Sequence, residues 1–135
     1  DYGFPAREDY HPQRASGTLM CHYRHHAHAD PFFYPGLNDI TAHVDFTAIA
    51  GAGVDAGLEC FGYTSQAQFL LNCGITDVLT RVSVEDQARY LPLAASAQKL
   101  LNASEMGELF KVLALGRGIE TPLMGFTRGD RSHTL

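Results

Sequence analysis

Tryptophan is absent from this chain and cysteine is scarce: Cys21, Cys60 and Cys73 are odd in number, widely spaced and without a C-x-x-C pair. That pattern excludes a disulfide framework and a zinc ribbon, and it fits a reducing, cytoplasmic setting. Basic charge is also in deficit. Ten Lys and Arg stand against 15 Asp and Glu, a net charge of −5, so no broad contact with nucleic acid is expected. No apolar run approaches the ~18 residues of a membrane span, and no basic-then-apolar leader opens the chain, so no membrane partner is expected either. Internal repeats and low-complexity segments are missing. What remains is a 135-residue chain with 45% hydrophobic residues, enough for one globular domain with a core. Its opening Asp1-Tyr2-Gly3 resembles the carboxyl end of a buried strand whose body lies upstream, so a truncated chain is expected.

Taken in order, Phe4 to Ser16 is polar and turn-rich, a loop with room for one short helical turn. Gly17 to His25 alternates Leu19, Cys21 and Tyr23 against Met20, His22 and Arg24, the period of a strand with one wetter face. Ala27 to Asn38 carries Pro31, Pro35 and Gly36 around Phe32, Phe33 and Tyr34, an ordered loop packed by its own rings. From Asp39 to Asp45 polar and apolar residues alternate again, which predicts one strand with Asp39, Thr41, His43 and Asp45 on a single face. Asp45 is placed to cap a helix with Phe46, Ile49, Ala50 and Gly53 on one side, and Gly57 stops it. Leu58 to Tyr63 is a short strand. Ser65-x-x-Gln68 resembles a capping box opening a helix that ends at Cys73. Ser83-x-x-Asp86 opens another, kinked or broken at Pro92 and running to about Asn102. Leu109 to Leu115 is the last strand, followed by a turn-rich tail with a short edge strand near Leu123 to Phe126.

Three groups of residues carry candidate chemistry. Gly51-x-Gly53-x-x-x-Gly57 has the look of a phosphate loop, but that chemistry needs a strand running straight into the glycines, and here they follow a helix start. Cys21, His22, His25, His26, His28 and Asp30 form a histidine-rich cluster in which His22, Arg24, His26 and His28 would share a strand face. Arg24 in their midst favours solvated histidines over a metal site, so no metal is assigned. The third group is the Asp39, Thr41, His43, Asp45 face. A histidine between carboxylates favours its protonated form and suits acid/base work or the holding of a cation. The same residues also serve as a loop cap, a hydrogen-bonded histidine and a helix cap.

The strings Asp1-Tyr2-Gly3, Gly17-Thr18-Leu19, Tyr23-Arg24-His25, Asp39 to Phe46 (DITAHVDF), Gln68 to Leu71 and Met106 to Leu113 (MGELFKVL) resemble the carboxyl-terminal half of the MidA-like family of S-adenosylmethionine-dependent methyltransferases, relatives of a mitochondrial arginine methyltransferase that assists complex I assembly. The resemblance implies an α/β fold: the rear part of a Rossmann-like class I methyltransferase sheet with helices on both faces and an antiparallel last strand. Residues 1–135 would then be a partial domain with a β-hairpin insertion over 17–45 and a helical insertion over 65–102. It implies methyl transfer from S-adenosyl-L-methionine to a protein nitrogen, an arginine guanidinium, with Asp1, Tyr2, Asp39, His43 and Asp45 as the residues expected to line the substrate pocket. The donor would be held mainly by an amino-terminal half, so this stretch alone would be inactive. A homodimer, and a partner-binding module built on Phe32, Phe33 and Tyr34, are the accompanying expectations.

Overall fold

A computed structural model describes residues 1–11, 17–24 and 26–135. The chain begins with a short strand β1 (Gly3–Phe4) and a single turn of helix α1 (Ala6–Asp9). A three-stranded antiparallel sheet follows, formed by β2 (Met20–Tyr23), β3 (His26–His28) and β4 (Asp39–Thr41) in the order β3-β2-β4. The remaining elements are β5 (Val44–Asp45), α2 (Phe46–Asp55), β6 (Glu59–Ser65), α3 (Gln66–Asn72), α4 (Ile75–Thr80), α5 (Gln87–Leu101) and β7 (Lys111–Gly116).

Strand β5 pairs parallel with β1, and β6 pairs antiparallel with β7. The two pairs are joined. Tyr2 bridges Phe110 in antiparallel fashion, and Asp1 and Lys111 exchange both backbone bonds, at 3.1 and 2.7 Å. The order is therefore β5-β1-β7-β6, with β6 parallel to β1 and β7 reversed. The carboxyl ends of β1 and β6 and the start of β7 thus share one edge, where ligands of open α/β sheets bind. Helix α2 lies on this sheet with Phe46, Ala50 and Gly53 buried. A Cβ on Gly53 would press into the side chain of Leu115, so this glycine lets the helix approach β7 closely; it is not part of a phosphate loop.

Several expectations need correction. The alternation from Gly17 to His25 does not continue as one strand. Arg24 adopts φ 48° and reverses the chain into β3, because a residue in the left-handed region ends extended structure. Asp39 to Asp45 is likewise not a single strand: Asp39–Thr41 pairs with β2 while Val44–Asp45 pairs with β1. The break at Ala42 and His43 lets one segment serve two sheets. Pro92 neither breaks nor divides α5. The helix runs on through the missing backbone bond and packs against α3, where Gln66 Nε2 donates to the Leu100 carbonyl at 3.1 Å near its far end. A separate helix, α4, opens at Gly74. The tail holds a 3-10 turn at Met124–Phe126 instead of an edge strand.

Candidate functional site

Beside β1 lies an open cleft of about 1160 Å³ lined by Tyr2, Thr18, Met20, His22, Arg24, Asp39, Thr41, His43, Leu109 and Phe110 among others. The three-stranded sheet forms one wall and the β1 and β7 ends the other. Alternation along β1 puts Tyr2 and Phe4 on one side. There the His43 ring meets Tyr2 edge-on at 5.5 Å and Phe4 at 5.1 Å, and Tyr2 meets Phe110 at 5.7 Å. Backbone geometry fixes the opposite wall: Asp39 stands across from His22, Thr41 across from Met20, and the Thr41 hydroxyl donates to the Met20 carbonyl at 3.2 Å. The His43 amide donates to the Thr18 hydroxyl at 3.2 Å.

Of the five residues expected to line a pocket, Tyr2, Asp39 and His43 meet in this cavity, while Asp1 and Asp45 do not. The Asp1 carboxylate accepts from the Tyr2 amide at 2.8 Å, and Asp1 borders a smaller groove with Val44, Phe46 and Leu113. Asp45 accepts from the Ala48 amide at 2.9 Å as the cap of α2. Its alternation with His43 is lost at the break between β4 and β5, and the cap geometry takes its carboxylate instead.

The histidine cluster comes apart for a similar reason. Register pairs Cys21 with His28 and Tyr23 with His26 on one face, leaving His22 opposite Ala27 on the other. The Nε2 of His28 contacts Asn38 Oδ1 at 3.2 Å. His25 lies outside the described residues. Among the described residues no group of three or more His, Cys, Asp or Glu could hold a metal ion, and no helix is long and apolar enough to cross a membrane.

A second cavity, of about 430 Å³, opens at the shared strand edge and contains residues that sequence reasoning left aside: Glu8, Tyr63, Glu105, Glu108, Lys111 and Arg131. Arg131 grips Glu108 with both terminal nitrogens, at 2.5 and 3.3 Å, and Lys111 Nζ lies 3.5 Å from the same carboxylate. Burial alone would raise Glu108, but the Arg131 hydrogen bond and the Lys111 charge outweigh it and hold its carboxyl below the ordinary value. The bond to Glu108 in turn raises Arg131. Tyr63, 1% exposed, has its hydroxyl pushed up to about 12, first by burial and then by the charge of Glu8. Among the described residues that hydroxyl has no hydrogen-bond partner, an unusual state for a buried polar group. Glu108 and Lys111 fall inside the MGELFKVL string, which offered a signal. Arg131, in a turn-rich tail more than twenty residues on, offered none.

Residues 1–64 match a family model described as "Putative S-adenosyl-L-methionine-dependent methyltransferase". The protein arginine methyltransferase NDUFAF7, mitochondrial, of Rattus norvegicus is 32% identical over 118 residues, covering 85% of this chain and 25% of that protein. Its Xenopus tropicalis counterpart is 34% identical over 96 residues, covering 69% and 22%. Two crystal structures of Burkholderia thailandensis proteins share 65% identity over the whole chain. One, of an uncharacterized protein, has a TM-score of 0.98 with 36% of its own chain covered; the other, bound to S-adenosyl-homocysteine, has a TM-score of 0.97 with 35% covered. The chain spans about a quarter of the length of the curated relatives it matches.

Proposed function

The chain belongs to the MidA-like family of S-adenosyl-L-methionine-dependent methyltransferases, and we propose that it forms the substrate side of such an enzyme, acting on an arginine nitrogen of a protein. On this reading β5-β1-β7-β6 is the rear part of a Rossmann-like class I sheet, and residues 17–45 and 65–102 are insertions upon it. The family's cofactor is S-adenosyl-L-methionine, which when bound supplies a methyl group on a sulfonium centre. The residues described here do not form a cradle for its adenosyl part: Gly51 and Gly53 lie within α2 and Gly57 follows it, so no glycine turn joins a strand to a helix start. Gripping the donor falls to sequence preceding Asp1, and these residues without it would be inactive.

The observation that supports the reading is the convergence of Tyr2, Asp39 and His43 on one cavity at the end of β1. A guanidinium is flat and cationic. It stacks on aromatic rings and pairs with carboxylates, and Tyr2, Phe110 and Asp39 offer both. Such a transfer depends more on alignment than on acid/base strength, so these residues act by holding the nucleophilic nitrogen in line and keeping water away. The imidazole of His43, beside Tyr2, is placed to receive the proton the nitrogen gives up. In the full-length protein, Asp39→Ala and His43→Ala are each expected to lower methyl transfer to arginine peptides at least tenfold, roughly the loss of one charged contact, with melting temperature preserved. Transfer at the parental rate in both variants would reject the assignment.

A partner-binding or assembly module on the same fold is the second reading, favoured by Phe32 and Tyr34, which are 82% and 53% exposed. Donor binding measured by calorimetry on the full-length protein separates the two: a module without catalysis has no need of the donor.

A further inference from the structure

The second cavity holds more carboxylate than its own cations neutralise. Glu8, Glu105 and Glu108 face Lys111 and Arg131, and both cations are committed to Glu108. Among the described residues neither Glu8 nor Glu105 forms an ion pair. Tyr63 is part of the lining, nine-tenths buried and more, with its hydroxyl unpartnered among the described residues. A buried hydroxyl oxygen left with free lone pairs, beside carboxylates in surplus, is complementary to a cationic donor with several N–H groups. The location agrees, since the cavity sits at the carboxyl ends of β1 and β6. Leu109 lines both this cavity and the larger one, so one extended polypeptide can reach into both.

We propose that this cavity is a cation subsite that receives a second basic side chain, arginine or lysine, of the polypeptide whose arginine enters the Tyr2, Asp39 and His43 chamber. The identity of that polypeptide as substrate rests on the function proposed above. Tyr63 accepts a hydrogen bond from the incoming group, Glu8 and Glu105 supply the opposing charge, and the Glu108 ion pairs hold the cavity open. Tyr63, Glu8 and Glu105 are binding residues here with no part in the chemistry.

The test labels the tyrosine rings of the full-length protein with ¹³C and titrates it with L-arginine amide, using N-acetylglutamate as the anionic control. The Tyr63 signal, identified by its loss in Tyr63→Phe, is expected to shift saturably with arginine amide and not with N-acetylglutamate. Glu8→Gln is expected to weaken the binding about tenfold. A peptide carrying two arginines is expected to bind more tightly than the same peptide with one replaced by alanine, and this gain is expected to vanish in Tyr63→Phe. No saturable shift, a response to the anion instead, full affinity in a Glu8→Gln, Glu105→Gln double variant, or no gain from the second arginine would each overturn the proposal. Methyl transfer is scored separately. Transfer without a Tyr63 response removes the subsite and leaves the chamber standing; a Tyr63 response without transfer removes the chamber reading alone.

Discussion

At the scale of single residues, polar groups in this chain are decided by who reaches them first. Asp45 looked equally fit for a pocket and for a helix cap, and the Ala48 amide claimed it. Asp45→Ala is expected to cost about 1 kcal/mol of stability while Asp45→Asn, which also caps, costs only a few tenths. Chemical denaturation measures both, and methyl transfer by the Asn variant should stay at the parental rate. Glu108 has a pH signature. Its folded carboxyl titrates below the ordinary 4.5, so on acidification the unfolded chain takes up a proton before the folded one does. The stabilisation is complete above 4.5 and is lost as pH falls from there through the folded value. Thermal melting from pH 7 down to pH 3 should show a shallower decline in Glu108→Gln than in the parent, starting from a lower neutral value.

At the scale of elements, periodicity found the pieces and missed their pairing. Alternation in DITAHVDF was real, yet two sheets divide that segment, because Met20 to His22 is the partner of its first part and Gly3 to Phe4 of its last. A period of two says that a segment is extended. It does not say with whom it pairs. The existence of β6 and β7 was legible for a sturdier reason, since an apolar run before a serine cap and another after a glycine need no distant information, although β6 runs two residues past the expected Tyr63 and β7 starts two residues after the expected Leu109. The β1-β5 pairing, invisible beforehand, has a sharp requirement at Gly3: a Cβ there would overlap the backbone of Val44. Gly3→Ala is accordingly expected to destabilise the fold by about 1–3 kcal/mol, read as a lower denaturant midpoint, and to weaken arginine-peptide binding because Tyr2 and His43 are held by that pairing.

At the scale of the whole molecule, the chain exposes 9281 Å², whereas a compact monomer of its 14.8 kDa exposes about 7000 Å². The excess is well above the roughly 800 Å² that one partner contributes to a standard protein interface, and it includes Ile40 at 50% exposure on the three-stranded sheet and Leu37 at 65% in the turn that leads into it. By itself the 135-residue chain is expected to self-associate, giving a sedimentation coefficient that rises with concentration; a single concentration-independent monomer would contradict this. The sequence alone determined that α2, β6, α3, α5 and β7 exist, the cap of α2 and the family strings, because each depends on neighbours within a few positions along the chain. Tertiary structure alone decided that Asp39 and His43 line one cavity with Tyr2 while Asp1 and Asp45 do not, and that Glu8, Tyr63, Glu108 and Arg131 line another. Tyr2 is far along the chain from Asp39 and His43, as Glu8 is from Tyr63, Glu108 and Arg131, and only strand register and chain reversal bring them within reach of each other.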